Sequence, residues 1–360
     1  MHIALVIYGS LDQTSGGYLY DRKLVEYLQK RGDTVTILSL PRRSYGASLL
    51  QNWKASAFDY SQFDLVIQDE LLHPSLFWAN PLYQAGPPML ALVHHLRVSE
   101  SHPAFLMPLY RWIERSFLSS VDGFIFNSSA TLLSVQRVFP NNRPYVIARP
   151  AGNFPKLNRA GTTQGQGGLD ILFVGNIIER KGLHTLIQAL IDLEQTGHSP
   201  VRTLMVVGDS SVDPTYARRV DRLAKQLPPG RVQCMGKVDD ERLLSLYQSS
   251  QILAVPSQHE GFGIVYLEAM GLGLVPLASR DGGAVELIDD GVNGFLVSPG
   301  DYARIAEIIA RLGTDPVLLQ RMAKASVEKA RSFPDWDESM EGIYRFIHDL
   351  VGDSGGGKPR

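Results

Sequence analysis

The chain has 360 residues, 44% hydrophobic and 20% charged, which excludes a disordered protein and exceeds one ordinary core, so two domains are expected. A formal net charge of -2 gives no electrostatic reason to expect a nucleic-acid partner. The lone cysteine, Cys234, excludes an intramolecular disulfide and fits a reducing compartment.

The first apolar run, HIALVIY (2–8), is too short and too poor in flanking basic residues for a signal peptide. No uncharged apolar run approaches the ~18 residues of a membrane span, so a cytoplasmic protein is expected. Apolar runs then alternate with amphipathic stretches, the pattern of βα units and parallel sheets. In the first half the predicted strands are 2–8, 34–40, 64–68, 89–94, 123–127 and 145–148. Residues 18–32 carry helical spacing, with Leu19, Leu24, Tyr27 and Leu28 on one face and Gly32 as the stop. Residues 155–168, PKLNRAGTTQGQGG, read as a linker. Strands are predicted again at 169–175, 203–208, 231–236, 251–257, 274–279 and 294–297, with Cys234 expected as a small buried core residue. The reading is α/β: two Rossmann-like, doubly wound domains, 1–155 and 169–333, facing a cleft, followed by a disordered tail at 352–360. Ligands of such sheets bind beyond the carboxyl ends of the strands, and chemistry is sought there.

Four motifs fall at those ends. The first strand runs into YGSLDQTSGGYLYDR, where Gly16 and Gly17 open a helix; the spacing from Gly9 is too long for a dinucleotide fingerprint. The strand MLALV runs into His94 and His95. The strand at 169–175 leads into VGNIIERKG, where Lys181, next to Gly182 at a helix start, can reach a diphosphate held by the helix dipole. The strand at 251–257 leads into HEGFGIVYLEAMGLG. There Gly261 and Gly263 flank Phe262 and let a ligand approach the backbone, while the free N–H groups from Ile264 onward suit a phosphate. Glu260 precedes that turn and Glu268 lies inside the helix, so the two address different parts of one extended ligand.

EGFGIVYLE resembles the Glu-x7-Glu motif of retaining glycosyltransferases of the GT-B fold, in particular the large family four. The resemblance covers nearly the whole chain, most strongly residues 171–301. It implies that Glu260 contacts hydroxyls of the donor sugar and Glu268 the ribose hydroxyls. It implies that Lys181 holds the leaving diphosphate. The family's arginine position is Asn176 here, and Arg180 is the available replacement. The family's glycine-rich loop falls on Gly16 and Gly17, its strand-end histidine on His94, and its base pocket on 236–238, with Val238 as a wall. His95 stands where an acidic residue is usual. Residues of about 334–350 resemble the terminal helix that crosses back to the first domain.

The expected reaction is transfer of a hexose from a UDP- or GDP-sugar to a hydroxyl acceptor, with His94, Glu260 and Lys181 as catalytic residues. No metal or other cofactor is implied: the one Asp-x-Asp, Asp335–Asp337, is explained by helix capping. Alternatives in the same architecture are a nucleotide-sugar epimerase or hydrolase, or a non-catalytic nucleotide-sugar-binding relative. Residues 102–120, rich in aromatics with Arg111 and Arg115 interleaved, suit either a core-facing helix or peripheral attachment to a membrane. Nothing in the sequence speaks to oligomeric state.

Overall fold

The computed structural model describes residues 1–354 except 14, 57, 84–85, 101 and 155–167. The linker expected at 155–168 therefore lies, but for Gly168, outside the described residues, as does the expected tail from 355 onward. The chain divides into two compact units, Met1–Pro150 together with the segment from Pro334, and Ala151–Phe333.

The first unit is built on six strands: β1 (His2–Tyr8), β2 (Thr34–Leu40), β3 (Leu65–Asp69), β4 (Met89–Val93), β5 (Gly123–Phe126) and β6 (Tyr145–Ile147). All pair in parallel in the order β2-β1-β3-β4-β5-β6. Its helices are α1 (Gly16–Lys30), α2 (Tyr45–Leu49), α3 (Asn52–Ala55), α4 (His73–Leu76), α5 (Met107–Leu118) and α6 (Ser129–Val138). Side chains alternate across a strand, so β1 sends Ile3, Leu5 and Ile7 to one face and Ala4, Val6 and Tyr8 to the other. β3 and β4 are buried throughout, as unbroken apolar runs require when both faces are covered.

α1 starts where Ser15 Oγ accepts the Tyr18 amide (3.3 Å) and ends at Lys30, with Gly32 following as the expected stop. Leu24, Tyr27 and Leu28 are buried, as expected. Tyr20 and Asp21 also lie inside, and Leu19 is only half-buried. The helix is rotated toward the 20/24/28 stripe, and that stripe carries an acid.

In the second unit β7 (Leu169–Val174), β8 (Val201–Val207), β9 (Val232–Gly236), β10 (Ile252–Val255), β11 (Val275–Ser279) and β12 (Phe295–Val297) form a parallel sheet of order β12-β11-β10-β7-β8-β9. Around it run α7 (Leu183–Gln195), α8 (Pro214–Ala224), α9 (Asp240–Ser249), α10 (Ile264–Gly271), α11 (Ala284–Leu287), α12 (Tyr302–Thr314) and α13 (Pro316–Arg331). Cys234 is exposed, contrary to expectation. It sits on β9, an edge strand with no residue fully buried, and an apolar run at a sheet edge need not face a core.

The last helix, α14 (Trp336–Ser354), belongs to the first unit. Met340, Ile343 and Ile347 pack with Tyr20, Leu24 and Leu28 of α1, and Glu341 accepts from Tyr27 Oη (2.6 Å). Asp335 and Glu338 cap each other's backbone amides at 2.8 and 3.0 Å, the capping role expected of Asp335. Because α14 runs through Ser354, the tail expected from 352 starts no earlier than 355.

Candidate functional site

In each sheet the chain reverses its direction of winding at one point, and loops from the two flanking strands diverge there. In the second unit that point lies between β7 and β10. The loop after β7 carries Asn176, Arg180 and Lys181; the loop after β10 carries Glu260, Phe262 and Gly263. Sheet order alone thus brings together two motifs 79 residues apart.

Gly182 makes the first loop possible. It adopts φ 71°, and a Cβ there would lie 2.1 Å from the Pro256 carbonyl oxygen, so only glycine lets the turn close on the end of β10. Lys181 Nζ donates to Glu260 Oε1, and Ser257 Oγ donates to the same atom at 2.8 Å. Arg180 Nη1 lies 3.7 Å from it and donates to the His259 carbonyl at 2.7 Å. Burial raises the Glu260 carboxyl, but Lys181 and Arg180 outweigh it and bring its pKa down to about 2. Burial in turn pulls Lys181 down, opposed by Glu260. The result is a nearly dry cluster of two cations and one carboxylate.

Directly after it, Gly263 caps α10 at φ 88° without any side-chain cap, so the first amides of that helix are left for a ligand. Phe262 and Ile264 are buried, and Phe262 packs edge-on to Phe333 (6.0 Å). Glu268, 7% exposed, accepts from Tyr247 Oη at 2.9 Å and from the Asn153 amide at 3.2 Å. Its burial raises its pKa to about 7. Asn176 and Val238 are half-buried at the carboxyl ends of β7 and β9.

In the first unit Gly16 and Gly17 form the start of α1, and Gly17 lies against the His94 ring: a Cβ there would sit 3.3 Å from Cδ2. His94 Nε2 is 3.0 Å from Asp21 Oδ1, both residues are buried, and the Asn127 amide nitrogen donates to the His94 carbonyl at 3.1 Å. Burial disfavours the imidazolium, yet Asp21, Asp69 and Glu70 reverse that and raise its pKa to about 9. Asp69 is itself pushed up to about 7, chiefly by burial. His95 Nε2 lies 3.2 Å from Glu100 Oε1.

Sequence reasoning missed Asp21, Asp69, Glu70 and Glu114. Glu114 accepts from the Arg97 (2.6 Å) and Val98 (3.3 Å) amides and so fixes the turn after His94 and His95. Asp21, Asp69 and His94 bring ligand-capable atoms within 4.8 Å of one another, as do Glu70, His73 and Glu114. By donor type either set suits a cation, although the Nε2 of His94 and both Glu114 oxygens already have protein partners. Two surface cavities, one lined by Asn80, Ser120 and Asp122 and one by His184, Arg219 and Tyr302, include none of the motif residues.

Two doubly wound parallel-sheet units with charged loops at the strand ends define the GT-B glycosyltransferase fold. The chain has a TM-score of 0.79 with sucrose-phosphate synthase from Thermosynechococcus elongatus, at 21% identity over 98% of this chain and 99% of that one. With Anabaena HepE, solved in complex with UDP-glucose, it has a TM-score of 0.73 at 18% identity over 97% and 100% of the two chains. Residues 156–329, nearly the whole of the second unit, match the family described as glycosyl transferases group 1. The chain is 31% identical to a D-inositol 3-phosphate glycosyltransferase of Acidothermus cellulolyticus over 60% of this chain and 48% of the relative, so it spans about half that relative's length. It is 27% identical to an alpha-D-kanosaminyltransferase of Streptomyces kanamyceticus over 73% and 71% of the two chains.

Proposed function

We propose that the protein is a retaining glycosyltransferase that moves a hexose from a UDP- or GDP-sugar to a hydroxyl acceptor. The observation that carries this reading is the Lys181–Glu260–Arg180 cluster beside the uncapped start of α10, at the switch point of the second sheet. Positive charge and free amides there suit a diphosphate, and a buried carboxylate one residue pair away suits sugar hydroxyls. Relatives named as glycosyltransferases and a structural neighbour solved with UDP-glucose support the same substrate class.

On donor binding, Lys181 and Arg180 turn from Glu260 to the diphosphate, and Glu260 takes hydroxyls of the sugar. Arg180 thereby supplies the cation that Asn176 does not. Glu268 grips the ribose, Val238 bounds the base, and the amides of Gly263 and Ile264 meet phosphate oxygens. The bond from the anomeric carbon to the diphosphate breaks, and a bond to the acceptor oxygen forms on the same face. The acceptor's proton passes to a diphosphate oxygen. Rate acceleration comes from stabilising the departing diphosphate and the oxocarbenium-like sugar, without a metal ion.

The test is a thermal-shift screen of UDP-, GDP- and ADP-sugars, since a ligand of the native state raises its apparent stability. A UDP- or GDP-sugar raises the transition in wild type and not in Lys181→Ala. No shift with any of the three sinks the proposal. Rapid donor turnover without an acceptor points to an epimerase or hydrolase, and tight binding without turnover to a non-catalytic relative.

A further inference from the structure

The outer surface of the first unit carries an aromatic and basic patch that the transfer reaction does not use. Trp53 is 81% exposed, Phe105 80%, Trp78 71% and Trp112 58%, with Leu82 and Leu109 also exposed. Soluble surfaces rarely leave three tryptophans projecting in one region.

The fold makes these residues neighbours. α3 packs on α4, and α4 on α5. Asn52, next to Trp53, accepts from the Trp78 amide at 3.0 Å through its side chain. Phe77, next to Trp78, packs edge-on to Trp112 at 5.5 Å. On α5 the residues facing inward are Tyr110, Ile113, Glu114, Phe117 and Leu118, the core-facing stripe that sequence spacing allowed. Outward it presents Leu109 and Trp112, one and two turns on from Phe105.

The exposed charges carried by α3 and α5 are basic, while Asp59 and Asp122, just beyond these segments in the chain, are exposed acids. Lys54, Arg111 and Arg115 are exposed. Residues 44–56, 71–83 and 102–120 contain a single acid, Glu114, and it is buried.

We propose that this patch docks the first unit on an anionic phospholipid surface. Tryptophan settles at the boundary between acyl chains and headgroups, and lysine and arginine are drawn to negative headgroups. No described helix is long and apolar enough to cross a membrane, so the attachment is peripheral.

The experiment is co-sedimentation of the full chain with vesicles of phosphatidylcholine alone or with a quarter phosphatidylglycerol. Trp53→Ser/Trp78→Ser is the main variant, because Trp112 also packs on Phe77; Arg111→Gln/Arg115→Gln is the second. Wild type binds the anionic vesicles at least about tenfold more tightly than the neutral ones, and each variant loses about tenfold with an unchanged melting temperature. Tryptophan emission shifts to the blue on the anionic vesicles. Wild type left in the supernatant, or sedimenting equally with both variants, overturns the proposal. So does a dimer in sedimentation velocity that the tryptophan variant dissolves, which assigns the patch to a second copy.

Discussion

Lys181 and Glu260 form an ion pair at the carboxyl ends of β7 and β10, with Ser257 and Arg180 on the same carboxylate. Both charges are largely held away from water; loss of Glu260 leaves Lys181 and Arg180 without their shared carboxylate, and loss of Lys181 leaves Glu260 with Arg180 and Ser257. Lys181→Ala and Glu260→Ala are each expected to lower kcat at least about a hundredfold, as for loss of one strong transition-state contact. The double variant should lose far less than the product of the two, because paired residues are not additive. Near-normal turnover in both single variants, with the fold intact, refutes the assignment. Glu260 titrates at about 2, below its ordinary 4.5, so its contribution to stability is present above pH 4.5 and lost only as pH falls through about 2.

Glu268 shows the opposite shift. Burial raises it from 4.5 to about 7, so the folded protein holds a proton there that the unfolded chain releases. Raising the pH from 4.5 to 7 therefore removes stability, on the order of 3 kcal/mol, and Glu268→Gln removes that slope. Denaturant melts at several pH values check it. Nucleotide affinity should rise through about pH 7 in wild type, as the carboxylate that accepts ribose hydroxyls forms, and stay flat in Glu268→Gln. Equal slopes in the two proteins count against this role.

Asp21→Asn removes the carboxylate that faces His94. His94 titrates at about 9 rather than 6.5, so its stabilisation is complete below 6.5 and disappears as pH rises through 9. The variant should titrate His94 markedly lower and lose stability at neutral pH, where wild type keeps the imidazolium. Histidine titration by NMR reads this directly, and an unmoved His94 resonance rejects it.

Gly182→Ala places a methyl group against the Pro256 carbonyl at a left-handed backbone. A destabilisation of at least about 1–3 kcal/mol is expected, with weakened nucleotide binding because Lys181 is the preceding residue. Gly197→Ala, also at positive φ but with open space around it, separates backbone strain from the clash.

Much of this was legible beforehand. Each of the twelve apolar runs is a strand, and the inner ones, covered on both faces, leave the unbroken hydrophobic signature expected of them. Lys181 and Glu260 stand in loops that follow strands, where spacing alone placed them. What was not legible depends on partners distant in sequence. Asp21 lies on the apolar stripe of α1, and an acid at that spacing was the available signal. Asp69 and Glu70 end the buried run LVIQ, again acids where hydrophobics were due. Cys234 looked internal because an edge strand and a central one share a local pattern, and only sheet order separates them. Phe262 reads as part of a ligand loop, yet the residue is buried and its ring packs on Phe333.

The chain leaves the first unit at Pro150 and returns to it at Pro334. Met340, Ile343 and Ile347 therefore reach Leu24 and Leu28 only after everything between has been synthesised. On the ribosome the half made first must wait, one flank of its sheet bare, until the final helix emerges. A nonsense codon at residue 334 or 335 would spare the later-made unit and leave the earlier one unfinished.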